Sequence, residues 1–179
     1  MAKKFTLFVD SLNKQSKGGK QDFNPQDRIA RFVALVNSLY SNIDEWLHDY
    51  LVDGTITTGI VPTTISEEVL GPYKVDEKWI QIGRARILFE PIGTIMIGTI
   101  ARIDMVYKAK RVMIVRTGEN IVGPGNLISI EIDGEPPRKP IPAGKAVWKY
   151  VKDKHRISYV TLNKESFEDL IMDTINEAR

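Results

Sequence analysis

Asp104 sits in the one setting in this chain that approaches a catalytic arrangement. It interrupts the apolar run IARIDMVY, and the hairpin after it leads into RVMIVR. A metal-dependent nuclease core has this shape, with an aspartate on one strand and a Glu-x-Lys on the next that together hold a divalent ion and activate water. The second half of that constellation is missing, because residues 111–116 contain no acid. Arg102, two residues away on the same strand face, is then the natural counter-ion for Asp104. Glu131 and Asp133 also share a strand face, a pattern that offers oxygen ligands to a cation and equally suits two outward carboxylates. The chain has only two histidines, His48 on the polar flank of a helix and His155 in a turn among lysines. Neither belongs to a His-x-x-x-His or Glu-x-x-His pair of the kind that converges on a metal. GPGN and GGK lack the spacing of a phosphate-binding loop. With no cysteine there is no thiolate nucleophile, thiolate metal site or disulfide. The expectation is a protein with no catalytic set, no metal and no cofactor.

Charge gives a second line of argument. The net charge of +2 divides into +3 over residues 1–23, −3 over 24–53, −1 over 54–107, +6 over 108–160 and −3 over 161–179. Lys108, Lys110, Arg111, Lys149, Lys152, Lys154 and Arg156 are therefore the candidate partner-binding residues, suited to an acidic protein face or a phosphate backbone. The other reading of the same residues is a solvated rim partly neutralised by the protein's own acidic helices. Trp79, Trp148, Tyr150 and Tyr159 lie near lysines, as on a single-strand nucleic-acid platform, but alternation with Val147 and Val151 also fits core packing. A sequence pI near 8.7 falls short of the strongly basic footprint of a dedicated nucleic-acid binder.

The elements that must position these residues follow from periodicity. Asn24 is a good N-cap, Pro25 suits the first helical position, and Asp27 complements the positive dipole end. From there Ile29, Val33, Val36, Tyr40, Ile43, Leu47 and Tyr50 recur at steps of four and three, flanked by Phe32, Leu39 and Trp46, up to Asp53-Gly54. The pattern predicts a helix over 24–53 laid across a sheet. Period 2 then takes over. GTIMIGTIARIDMVY sets Ile95, Ile97, Thr99, Ala101, Ile103, Met105 and Tyr107 on one face, and WIQIGRARILFE sets Ala85, Ile87 and Phe89 against Arg84, Arg86 and Glu90. Lys108-Ala109-Lys110 reads as a hairpin turn, LISIEID as a further strand, GEPPRKPIPAGK as an extended loop, and AVWKYV with ISYVTL as a last hairpin about Asp153–His155. Asn163 caps a second helix, with Leu162 and Phe167 as a hydrophobic staple. FTLFVDSL at 5–12 is a short strand or helical turn, followed by a polar, glycine-rich loop.

These elements make a single α+β domain over 1–179: an N-terminal segment to 23, a helix over 24–53, a β-region over 54–162 and a C-terminal helix over 163–179. Both helices are expected to pack on an antiparallel sheet or partly open β-barrel of about six to eight strands. No run is apolar for long enough to span a membrane, and the N-terminal apolar segment is too short for a signal peptide, so the expected location is the cytoplasm. The functional expectation is a small non-enzymatic binding or adaptor protein, such as an immunity, inhibitor or accessory subunit of a larger prokaryotic system, with another protein as its partner. The alternatives are a nucleic-acid-associated protein using the basic 108–160 region, with weak affinity, a strongly altered nuclease around Asp104, or a small-molecule site inside a barrel.

Overall fold

The side chain of Asn24 accepts from the backbone N–H groups of Gln26 and Asp27 and starts a helix, α1 (Pro25–Trp46), in which proline occupies the first position. The computed structural model describes residues 24–94, 100–123, 144–152 and 158–178. The elements expected at 5–12 and 127–133, residues 95–99 of the strand expected over 93–107, most of the proline-rich stretch and the turn at 153–155 lie outside the described residues, as do Lys154, Arg156, His155, Glu131 and Asp133.

The helix expected over 24–53 is interrupted. Leu47 leaves helical geometry at φ −95°, and a second short helix, α2, covers His48–Val52. Leu47 stays buried at the break, whereas no residue of α2 is buried and Tyr50 is exposed. The inward stripe of α1 is Phe32, Val36, Leu39, Tyr40 and Ile43, so Phe32 and Leu39 are more central than Ile29 and Val33, which are partly buried.

Seven strands follow in a simple meander: β1 (Ile56–Glu67), β2 (Gly71–Ile82), β3 (Ala85–Gly93), β4 (Ala101–Tyr107), β5 (Lys110–Gly118), β6 (Ala146–Val151) and β7 (Tyr159–Thr161). Each is antiparallel to the next, and the sheet order is the chain order, which leaves the sheet open, with β1 and β7 as its edges among the described residues. The chain closes with α3 (Lys164–Glu177), begun by a reciprocal cap between Asn163 and Ser166. Leu162 and Phe167 are both buried, as the staple requires.

Both helices lie on one face. Ile80, Ile87, Phe89, Ala101, Ile103, Met105 and Ile114 supply the sheet side of a single core that also takes in α1 and α3. Phe167 joins the two layers, with its ring centroid 5.3 Å from Trp46 and 6.0 Å from Phe89.

The β1–β2 ribbon departs from this regular pattern. β2 pairs with β3 only over Lys78–Ile82, and beyond that point the ribbon continues alone. There the inward positions change phase, from Lys78 and Ile80 to Tyr73 and Val75, so the ribbon presents its opposite face to α1. The Tyr40 hydroxyl fills the split, lying 2.9 Å from Asp76 O and 3.0 Å from Phe89 O. At the far end the Glu67 carboxylate accepts from the Tyr73 hydroxyl and from the backbone N–H and hydroxyl of Thr94, and Arg28 of α1 donates to Thr94. Gly93, at φ 144°, makes room: a Cβ there would come within 2.8 Å of the Glu67 carboxyl carbon. Burial pushes the Tyr73 and Tyr40 hydroxyls well above the ordinary tyrosine pKa, so both stay protonated donors.

Replacing Leu47 with Ala should lower unfolding free energy by about 2–5 kcal/mol, since it removes a buried side chain at the helix break. Asp49→Ala, on the exposed surface of α2, should leave the urea midpoint nearly unchanged. Equal small effects would show that the break does not anchor the helix.

Candidate functional site

Asp104 lies on the sheet face that the helices do not cover, only 1 % exposed. It stands directly across from Glu90 in the β3–β4 register, a like-charge pair that would repel if left alone. Two guanidinium groups resolve this. Arg102 grips Asp104 through both oxygens, with Nε 2.7 Å from Oδ1 and Nη2 2.8 Å from Oδ2. Arg111 reaches back from β5 to Asp104 Oδ2 at 3.1 Å and to Glu90 Oε2 at 2.8 Å. The hydrogen bond to Asp104, reinforced by Glu90, raises the Arg111 pKa further. Both Asp104 oxygens are thus engaged by fixed cations. Among the described residues no group of three His, Asp or Glu side chains is placed to hold a metal ion. The arrangement is an ion-pair network tying three strands together.

Of the described basic candidates, Lys108, Lys110, Arg111 and Lys152 line one cleft, and Lys149 lies apart from it. Lys149 is 2 % exposed, and its ammonium donates to the carbonyls of Glu119 and Ile121, each at 2.7 Å. Burial pulls its pKa down, partly offset by the Glu119 carboxylate. This lysine pins residues 119–121 over the end of β5 and does not face solvent. Lys108, at φ 52° in the two-residue turn between β4 and β5, donates to Ala178 O at 3.1 Å, and Lys110 pairs with Glu177. Both meet the carboxy end of α3, where the helix dipole favours positive charge. Arg111 is committed to Asp104 and Glu90, and Lys152 is exposed just past β6.

That cleft, open and about 860 Å³ in volume, is lined by Lys108, Lys110, Arg111, Lys152 and Arg102 together with Asp173 and Glu177 of α3. Its walls carry both signs of charge, and the Lys110–Glu177 pair spans between them, so the cleft is not a uniformly positive phosphate cradle. The aromatic residues do not form a platform either. Trp148 and Tyr150 are core residues, whereas Trp79 lies across Gly59 with the Arg86 guanidinium 4.4 Å from its ring. A Cβ at position 59 would fall 2.5 Å from that indole, which is why glycine stands in the strand there.

The most exposed adhesive feature is one that residue chemistry did not suggest. β1 is twelve residues long and, among the described residues, its outer edge has no strand beside it. Ile60 and Val61 are 52 % and 47 % exposed along it, with Tyr50 and Val52 of the neighbouring α2 exposed as well. β7, at the opposite edge, has only three residues. Natural sheets blunt their edges with short strands, charge or proline, and β1 has only Pro62. The sequence does carry the signal: no charged residue occurs between Asp53 and Glu67.

Comparison with protein-family models, with curated proteins and with solved structures finds no significant match to this chain.

Lys149→Glu should cost about 3–5 kcal/mol of stability, because it buries a carboxylate against two carbonyls that now accept from an ammonium. Lys152→Glu should shift the melting temperature little. If Lys149→Glu melts like the unsubstituted protein, the ammonium is not buried.

Proposed function

We propose that this protein is a small non-enzymatic binding or adaptor protein, an inhibitor, immunity protein or accessory subunit that acts through a protein–protein surface. The observation that carries this reading is the long, uncharged outer edge of β1 with Ile60 and Val61 exposed on it. An edge of this kind presents unpaired backbone donors and acceptors beside apolar side chains, which is the raw material of strand-addition recognition. The charged residues that suggested chemistry support the same reading from the other side. Asp104, Arg111, Lys110 and Lys149 each make ion pairs or hydrogen bonds within the fold. No helix of the described residues is long and apolar enough to cross a membrane.

Tagged full-length protein incubated with lysate of its native host should retain a protein partner in near-stoichiometric amount after nuclease treatment of the lysate. The purified protein should leave single- and double-stranded nucleic acid intact in Mg²⁺ or Mn²⁺, and its oligonucleotide affinity at physiological salt should be weak, with a dissociation constant of about 10⁻⁴ M or poorer. Retention of nucleic acid alone, or cleavage abolished by Asp104→Asn, would overturn the reading.

A further inference from the structure

We infer that the outer edge of β1 over Ile56–Val61 receives an extended strand of a partner protein whose centre is uncharged and β-branched and whose flanks carry lysine or arginine. The inference rests on the protein-binding reading above and names the chemistry of the partner.

Backbone supplies the first part of the argument. An antiparallel or parallel newcomer would pair with the outward N–H and C=O groups of β1, the general basis of recognition at sheet edges. Pro62 lacks an N–H and sets the limit of the ladder, so the docking length is the half-strand that precedes it. Ile60 and Val61 point to opposite faces of the sheet, as successive strand residues must, and both are exposed. Apolar or β-branched residues of the incoming strand would therefore find a cross-strand neighbour on either face.

Charge supplies the second part and selects the occupant. From residue 32 to residue 73 the chain contains no lysine or arginine, while it contains Asp44, Glu45, Asp49, Asp53, Glu67 and Glu68. Acid predominates around the edge, where several carboxylates are set against the Arg86 guanidinium that lies over Trp79, across from Gly59. Asp49 and Asp53 are exposed at the end where β1 begins, and Glu77 and Asp76 stand directly across from Val61 and Pro62 on β2. Of the two lysines of β2, Lys78 is buried against Asp44 at 2.7 Å, and Lys74 is exposed beyond Pro62, opposite Thr64. An uncharged strip with an acidic margin attracts a strand with basic ends and repels one with acidic ends. A second copy of this chain fits poorly, because its own Ile56–Val61 segment has no lysine or arginine on either flank between residues 32 and 73 to meet the acidic margin.

The test uses the full chain and two short synthetic peptides with alternating threonine and valine at the centre, one flanked by lysines and one by glutamates. Fluorescence anisotropy should show the lysine-flanked peptide binding at least roughly tenfold more tightly, a difference that shrinks as salt screens the charges. Backbone amide shifts in the NMR spectrum should move at Thr57–Val61. Ile60→Lys, which places the usual edge guard on the strand, should abolish binding without changing the melting temperature, and Val61→Lys serves if that variant is unstable. Equal affinity for both peptides, shifts confined to residues 108–116, Ile60-dependent dimerisation, or outward-facing β1 amides already protected in the isolated protein would each overturn the inference. Capture of a host protein that Ile60→Lys does not weaken would overturn it too, while leaving the binding-protein reading intact.

Discussion

The β1–β2 ribbon is longer than the sheet that supports it, and it is held by hydroxyl and carboxylate contacts where strand pairing stops. Tyr40 caps the split between β2 and β3 by meeting one carbonyl on each side. Glu67 then rejoins the tip of the ribbon to Thr94 at the end of β3, with Arg28 of α1 bonded to the same threonine. Tyr40, Glu67 and Thr94 are buried and satisfied, with Arg28 half-buried beside them, and in a low-dielectric setting an unmade bond would cost more than an ordinary hydrogen bond contributes. The ribbon is therefore fixed in orientation, and β1 is presented as a rigid edge. Rigidity matters for docking, because a strand that is already ordered loses little conformational entropy when a partner pairs with it.

Much of the architecture was legible because period and caps report directly on burial. Asn24, Pro25 and Asn163 start the helices where their side chains and ring predict, and the alternation of Ala85, Ile87 and Phe89 and of Ala101, Ile103 and Met105 is the sheet's core face. Of the expected antiparallel sheet or partly open barrel, the described residues form the sheet, an open meander of seven strands. The break at Leu47 leaves no mark in the sequence, because it preserves the apolar spacing and alters only backbone geometry. The phase change between Val75 and Lys78 was equally hidden, since Lys78 reads as a surface residue until Asp44 and Tyr40 are brought over it.

The candidate site was legible in a more uneven way. Arg102 as the partner of Asp104 followed from their two-residue spacing, and the structure adds Arg111 and Glu90, which only strand register brings within reach. The lysines are the instructive case. Lys149 alternates with Trp148 and Tyr150 and so belongs to the outward face by pattern, but residues 119–121 fold over that face and bury it. Lys108 and Lys110 are spent on the end of a helix more than sixty positions away in sequence. A charge count along the chain cannot foresee such pairings. It can show where charge is missing, and the uncharged stretch that became β1 was visible from the outset.

The central claim is that the working surface is the β1 edge and not the basic segment, and amide hydrogen exchange on the protein with and without its captured host partner tests it most directly. Exchange-competent amides of Thr57–Val61 should gain protection on complex formation, while those of Lys108–Arg116 and Ala146–Lys152 stay as they are. New protection confined to the latter two segments, with β1 unchanged, would contradict the account.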